Sequence, residues 1–526
     1  MNAAQVMNLA ELLAQTARQF PDRAGLIQGD RQWSWRQIDQ RVDAIVAALR
    51  SRGVMQGDRI LVQSRNNRAL FESCWVAFRL GCVWVPTNFR LTPPEIAYLG
   101  ESSGATVMLA EPDFAEHVAA VKAASAVMTQ VIWIDSEGAT ADKLGPDQFG
   151  KADADYETLV SAHLGARPVP TVVKADDPLW FFYTSGTTGL PKAGILTHAQ
   201  MAFVVTNHLA DLIPGTTEQD CSIAVAPLSH GAGVHMLLNV ARGAPTVLLP
   251  SEKMVPEQVW SLIERHKVSN LFTVPTIVKM LVEDPAVDLF DHASLRYVIY
   301  AGAPMYRADQ KRALNKLGKV MVQYFGLGEV TGCITVLPAH LHSAEDDESD
   351  ANIGSCGRPR TGMEVAILDE QSKAVAVGEI GEICCRGPAV FAGYYGNAEA
   401  SEKALRGGWF HTGDLGRLDE KGFLTITGRE SDMYISGGSN VYPREVEEVL
   451  LMHPAVAEVA VLGIPDEKWG EVGLAVVVPS DLQAPPGPAE LLAHLDGKSA
   501  RYRWPKRFVF WSELPRSGYG KVTKKL

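Results

Sequence analysis

Between residues 30 and 135 the chain switches repeatedly between two periods, and this alternation limits its possible folds more than any other feature. The stretch "WSWRQIDQRVDAIVAALRSRG" carries apolar residues at helical spacing and ends on Gly53, and "DRILVQS" then reads as a short buried strand. After intervening helical stretches, "GCVWVPTN" and "ATVMLAE" repeat the strand signal. From 175 to 325 the theme continues in "PLWFFYTSG", "CSIAVAP", "APTVLLP", "VSNLFTVP", "LRYVIYAG" and "KVMVQYFG", each closed by Pro, Gly, Ser or Thr. Strands alternating with helices predict an α/β fold of mostly parallel sheets flanked by helices. Ligands collect beyond the carboxyl ends of such strands, so the turns after these runs are where chemistry is expected.

The texture changes after about residue 355. "MEVAILDE", "GEIGEICCRGPAVFAGYYG" and "GFLTITGRE" are short strands with Gly turns, which predicts a β-rich subdomain. A small α+β unit is expected from Asp432, giving an N-terminal domain over 1–431 and a C-terminal one over 432–526. In it, Pro443 opens a helix with Val446, Val449, Leu450 and His453 on one face, and "AEVAVLGIPD", "GLAVVVPS" and "RFVFWSELP" read as strands. The runs "SAEDDESDAN" and "QAPPGPAE" read as solvated connections.

Composition excludes several classes. With 46% hydrophobic and 21% charged residues the chain is an ordinary globular one, and its net charge of −12 without a basic block argues against nucleic acid as partner. The seven cysteines are scattered without a C-x-x-C pair, as for buried thiols in a reducing compartment. Glu11 interrupts what would be a signal core, and no window approaches the ~18 apolar residues of a membrane span. A cytoplasmic enzyme is the expectation.

Three motifs carry less than they promise. "GLGEVTG" loosely matches a dinucleotide fingerprint, but the strand-like "CITVLP" follows it where a long helix is required. "HLHSAEDDE" has metal-ligand residue types, although a flexible acidic loop is the more common explanation. Ser229–His230 lacks the G-x-S-x-G frame of a nucleophile elbow, and adjacent side chains rarely face one another.

The stretch "FFYTSGTTGLPKAGILTH" carries more. An apolar strand leads into a turn in which Gly186 and Gly189 let the backbone approach a ligand. Thr184, Ser185, Thr187 and Thr188 add hydroxyls, and Lys192 supplies a mobile ammonium for the β- and γ-phosphates. Pro191 stands where a Walker A loop has glycine, so this is a phosphate loop of another kind or a polar hairpin.

Later motifs decide between these two. "YTSGTTGLPK", "APLSHGAG", "VPT", "AGAP", "QYFGLGE", "GWFHTGDLG", "GRESDMYISGGSNVYPREVEE" and "LPRSGYGK" follow in order from about Leu9 to Lys521. Together they resemble the adenylate-forming superfamily of acyl-CoA synthetases, aryl-CoA ligases, luciferases and peptide-synthetase adenylation domains. The resemblance implies an ATP-dependent ligase of fatty-acid–CoA ligase type. Such an enzyme makes an acyl-adenylate and pyrophosphate, then passes the acyl group to a thiol, with ATP, Mg2+ and coenzyme A as partners.

By that resemblance Thr184, Ser185, Gly186, Thr187, Thr188, Gly189 and Lys192 grip the phosphates, and Glu329 contacts Mg2+. Phe325, beside Gly326 and standing where the family has Tyr, stacks on adenine, with Gly302, Ala303 and Pro304 as the adjacent wall. Asp414 takes the ribose hydroxyls, and Arg429 ribose or phosphate. Lys521 bridges the carboxylate and α-phosphate, then leaves as the C-terminal domain turns about a hinge near Asp432. Ser436, Gly437 and Gly438 then help line a CoA channel. Gly328, Ala193 and Ser431 depart from the family's usual Thr, Gly and Lys, and the absent side chain at Gly328 is expected to open room for the acyl chain.

By the same resemblance the acyl pocket is expected at His230, Gly231, Gly233, Val234, Ala301 and Gly328, a roomy, uncharged slot rich in small residues. No Arg or Lys there would pair with a second carboxylate, so a medium- or long-chain fatty acid is favoured, with an aryl acid close behind. Coenzyme A is the expected acceptor because only five residues follow Lys521. A stand-alone enzyme loading a carrier protein and a non-catalytic relative binding AMP or acyl-adenylate remain open alternatives, and a homodimer is compatible with the sequence.

Overall fold

The computed structural model describes residues 5–134, 153–184, 190–303, 305–346, 352–436, 439–516 and 522–524. Among these, two large sheets carry the N-terminal part. One orders its strands Lys192–Thr197, Pro178–Thr184, Val83–Pro86, Arg59–Gln63, Val107–Ala110, Gln130–Trp133 and Ala154–Asp155. All its pairs are parallel except the first, an antiparallel hairpin in which Thr184 faces Lys192. The other sheet is parallel from Met321–Phe325 through Tyr297–Tyr300, Asn270–Thr273, Ser222–Ala224 and Thr246–Leu248 to Ala24–Gln28. Antiparallel strands close both of its ends. Every apolar run read as a strand between residues 58 and 325 contains one, and the α/β expectation holds.

The helices between strands are specified by their caps. Ser34 caps Trp35–Ser51 and Thr197 caps His198–Asp211, each through a reciprocal bond with a Gln at the third helical position. Helix His198–Asp211 starts only after the return strand Lys192–Thr197. The phosphate-loop candidate therefore spans a hairpin and opens no helix, which is why a proline is tolerated at position 191.

The β-rich region is an antiparallel sheet ordered Glu364–Leu368, Gly381–Arg386, Phe410–Leu418 and Leu424–Arg429. Residues from Tyr434 onward form another sheet around the long hairpin Val456–Asp466 and Gly470–Pro479, with Arg507–Phe510 added in parallel. Helix Pro443–Leu451 buries Val446 and Leu450 in a core with Val461, Ala475, Val477 and Leu491. His453 lies beyond the helix end, so the predicted face is one residue shorter. All seven cysteines are free and buried. "GLGEVTG" runs through a 3-10 turn, Gly328–Val330, into strand Thr335–Leu337, with no helix to present to a pyrophosphate. His342, read as part of a solvated loop, is instead buried, with Tyr300 OH 3.0 Å from its Nε2.

Candidate active site

Strand Pro178–Thr184 alternates its side chains, so Trp180 and Phe182 face one core while Phe181 and Tyr183 face another. The same alternation brings Thr184 onto the turn at Gly328–Val330. There Thr184 Oγ1 donates to Glu329 Oε1 at 2.8 Å, and Tyr394 OH donates to the same oxygen at 2.9 Å. Glu329 is 5% exposed, and its other oxygen has no hydrogen-bond partner among the described residues. Burial, then the adjacent Glu329 carboxylate, pushes the Tyr394 phenol far above its usual range, so it stays a donor.

Lys192 opens the return strand, with its Nζ 5.4 Å from the centroid of the Tyr394 ring. Among the described residues no carboxylate pairs with it. Segment 391–395 is fixed beside this strand, since Ile195 N donates to Gly393 O and Tyr395 N to Ala193 O, both at 2.9 Å. Phe391 N donates to Glu329 O at 2.8 Å, which ties the carboxylate's own backbone to the same segment. Tyr394 was not among the expected site residues. In sequence it is one aromatic in a Gly-flanked turn, and nothing there tells that it reaches both a carboxylate and a lysine.

The four-stranded sheet supplies a second cluster. Asp414 and Arg429 are direct cross-strand partners, and Arg429 Nε lies 3.1 Å from Asp414 Oδ1. The Asp414 side chain is 8% exposed and that of Arg429 50%, so the pair has one buried and one open end. Phe325 ends strand Met321–Phe325 half-buried, packed against the core of this sheet beside Cys356, Ile367 and Leu424. Gly302 follows strand Tyr297–Tyr300 at φ +83°, with Ala303 half-buried after it. Gly326 is held against the backbone of Gly332, where an added Cβ would come 2.4 Å from its Cα.

The expected acyl residues converge, and their glycines are closely approached. A Cβ on Gly231 would lie 2.6 Å from Phe272 Cε1, and one on Gly233 would lie 2.1 Å from Leu228 O. At Gly328 it would meet Phe182 Cδ1 at 2.6 Å and Thr184 Cγ2 at 2.7 Å. The volume that a missing side chain was expected to free at Gly328 is thus filled by Phe182 and Thr184. These glycines are sites of close approach, to an aromatic ring at Gly231 and Gly328 and to a backbone carbonyl at Gly233.

Phe182 packs edge-on against His230 at 4.5 Å, and His235 stacks on Phe272 at 4.4 Å with the planes 9° apart. Tyr324 lies 5.8 Å from both Phe272 and His235, nearly parallel to each. Burial beside Arg360 lowers His235 to about 3, so the stack is uncharged at neutral pH. Val234 and Ala301 are buried in the same core. His230 caps helix Gly231–Ala241 by accepting from Gly231 N at 2.8 Å through its Nδ1. Ser436 is buried at the end of strand Tyr434–Ser436. Ser185, Gly186, Thr187, Thr188, Gly189, Pro304, Gly437, Gly438 and Lys521 lie outside the described residues.

Among the described residues the structure thus presents a buried carboxylate with one oxygen unengaged, a lysine with no carboxylate partner and an Asp–Arg cross-strand pair. Residues 13–395 match the family model described as AMP-binding enzyme, and residues 445–521 the AMP-binding enzyme C-terminal domain. The chain belongs to the AMP-binding enzyme family and is an acid–thiol ligase; ATP, Mg2+ and coenzyme A serve that class of reaction.

It is 35% identical over 510 residues to a feruloyl-CoA synthase of Amycolatopsis sp, covering 97% of this chain and 96% of that one. It is 31% identical over 521 residues to a long-chain-fatty-acid–CoA ligase of Mycobacterium tuberculosis, covering 98% and 97%. Among solved structures it resembles the o-succinylbenzoate CoA synthetase of Bacillus subtilis in complex with its acyl-adenylate, at a TM-score of 0.81 and 28% identity over 99% and 97% of the chains. No helix among the described residues is long and apolar enough to cross a membrane.

Proposed function

We propose that the chain is an AMP-forming acid–CoA synthetase whose acid is compact and ring-bearing. The observation that carries the chemistry is Glu329, fixed by Thr184 and Tyr394 with its second oxygen unengaged among the described residues, and Lys192 over the Tyr394 ring. A buried carboxylate held this way suits a hard divalent cation, and Glu329 is the residue that would hold Mg2+. When bound, Mg2+ neutralises phosphate charge, so that a carboxylate and a triphosphate can approach.

In this reading Thr184 and Lys192 take the β- and γ-phosphates, with Ser185, Gly186, Thr187, Thr188 and Gly189 completing the hairpin loop. Asp414, with both oxygens able to accept, takes the ribose hydroxyls, and Arg429 at the open end meets ribose or phosphate. Phe325 stacks on adenine against Gly302, Ala303 and Pro304. Lys521 serves the adenylation step and is withdrawn when residues 432–526 turn about Asp432, bringing Ser436, Gly437 and Gly438 to the incoming thiol.

For the acid we favour the aryl alternative over the fatty-acid expectation. Phe182, Phe272, His235 and Tyr324 occupy the space beside Gly231 and Gly328, and stacked neutral rings favour a flat aromatic acid over a long flexible chain. The similarity to a feruloyl-CoA synthase supports the same choice.

A panel of acids tests it, with purified protein, ATP, Mg2+ and CoA, and with acyl-CoA and AMP quantified. Arylpropenoic and arylacetic acids are expected to give a kcat/KM at least ~10-fold above that of straight-chain acids of twelve or more carbons, on the order of one well-filled pocket contact. Equal or better turnover of the long-chain acids would return the assignment to a fatty-acid ligase.

A further inference from the structure

We propose that Glu382 is a positioning residue that fixes the turn presenting Asp414 to the nucleotide; this rests on the reading of Asp414 as the ribose carboxylate. Glu382 sits on strand Gly381–Arg386, with its side chain 15% exposed. Both its oxygens are engaged. Oε2 lies 2.7 Å from His411 Nδ1 and accepts from Arg406 Nη2 at 2.9 Å. Oε1 accepts from the backbone amide of Gly413 at 3.0 Å.

His411 is pinned in turn, its Nε2 lying 3.2 Å from Arg406 O and the side chain 2% exposed. The carboxylate is thus clamped by two side chains on one oxygen, so that the other is aimed at a single amide. Gly413 adopts φ +70°, and the residues on each side of it are anchored separately. Thr412 Oγ1 donates to Ile383 O at 2.7 Å and accepts from Asp414 N at 3.0 Å. Gly413 O accepts from Glu430 N at 3.1 Å, next to Arg429. The amide of Gly413, at the centre of this turn, has Glu382 as its partner.

The ligand atoms of Glu382, Cys384 and His411 lie within 4.8 Å of one another, a spacing compatible with a metal ion. The guanidinium of Arg406 already rests on the carboxylate, and burial pushes the Cys384 thiol up to about 12. The cluster is satisfied without a cation, which leaves orientation of the turn as its task.

The test is a substrate cycle on the full-length enzyme. Wild type, Glu382→Ala, Glu382→Gln and Asp414→Ala are each assayed for acid-dependent pyrophosphate release with ATP and with 2′,3′-dideoxyATP. Glu382→Ala is expected to raise KM for ATP about ten-fold, the loss of one charge-assisted hydrogen bond acting through Asp414, with kcat and KM for the acid within about two-fold. With the dideoxy nucleotide the same substitution should change KM by less than about two-fold, because the hydroxyls that Asp414 would meet are gone. Glu382→Gln keeps an acceptor for the Gly413 amide and should recover most of the affinity. If Glu382→Ala fails to fold, Glu382→Asp carries the test: it keeps the charge beside Arg406 but falls short of Gly413, so the ATP-selective rise should persist.

An equal penalty with both nucleotides, or none, while Asp414→Ala still discriminates between them, overturns the role of Glu382 alone. If Asp414→Ala itself fails to discriminate, the ribose reading falls and this proposal with it.

Discussion

At the scale of single residues, the site depends on charges kept where water is scarce. Glu329 needs both of its donors, because a carboxylate this buried without hydrogen bonds would be neutralised or displaced. Tyr394 supplies one donor and offers its ring face to Lys192, so one side chain touches both groups proposed to handle phosphate and metal. The buried histidines follow the same physics with the opposite sign. Burial lowers His235 to about 3 and His198 and His342 to about 4, from an ordinary value of 6.5. Between pH 6.5 and these values the unfolded chain binds protons that the folded chain refuses, so stability falls as pH is lowered through that window. Each ring contributes at most about 1.4 kcal/mol per pH unit. Calorimetry from about pH 7 to about pH 5 should therefore show a falling Tm, and His235→Phe, which keeps a ring against Phe272, should make the decline shallower. An unchanged slope in that variant would show that His235 is not a refusing group.

At the scale of elements, packing decides what the glycines mean. Gly233 lies in helix Gly231–Ala241 where a Cβ would meet the carbonyl oxygen of Leu228, a backbone atom unable to step aside. Gly233→Ala is therefore expected to cost roughly 1–3 kcal/mol by overpacking and to lower Tm by several degrees. An unchanged Tm with altered acid preference would mean the glycine faces open space.

This is also where sequence reading reaches its limit. Strand positions were legible because apolar runs closed by Gly or Pro are local signals; Thr184, Glu329, Asp414 and Arg429 were singled out because ordered motifs carry them, and the structure pairs Thr184 with Glu329 and Asp414 with Arg429. Occupied space was not legible. "GAG" at 231–233 looks the same whether a substrate or Phe272 fills the notch, because the filling ring comes from a strand some forty residues away. Tyr394 and Glu382 were missed for a related reason. Each acts through a partner distant in sequence, Glu329 in one case and Gly413 in the other, and neither stands in a pattern that names its partner.

At the scale of the whole molecule, the parallel sheets, the four-stranded sheet and the last unit each contribute one part of the proposed reaction. The hairpin loop and Glu329 belong to the first, Asp414 and Arg429 to the second, and Lys521 to the third. In the proposed reaction a thiol enters after the acid is activated, because the unit proposed to carry the group for the first step would turn away. The central claim is that the carboxylate itself attacks the α-phosphorus of ATP. The most direct measurement uses an acid with both carboxylate oxygens replaced by 18O, turned over with ATP, Mg2+ and CoA, and mass spectrometry of the nucleotide product. AMP carrying one heavy oxygen, with the pyrophosphate unlabelled, is the expected result. Unlabelled AMP, or ADP accompanied by labelled phosphate, would contradict it.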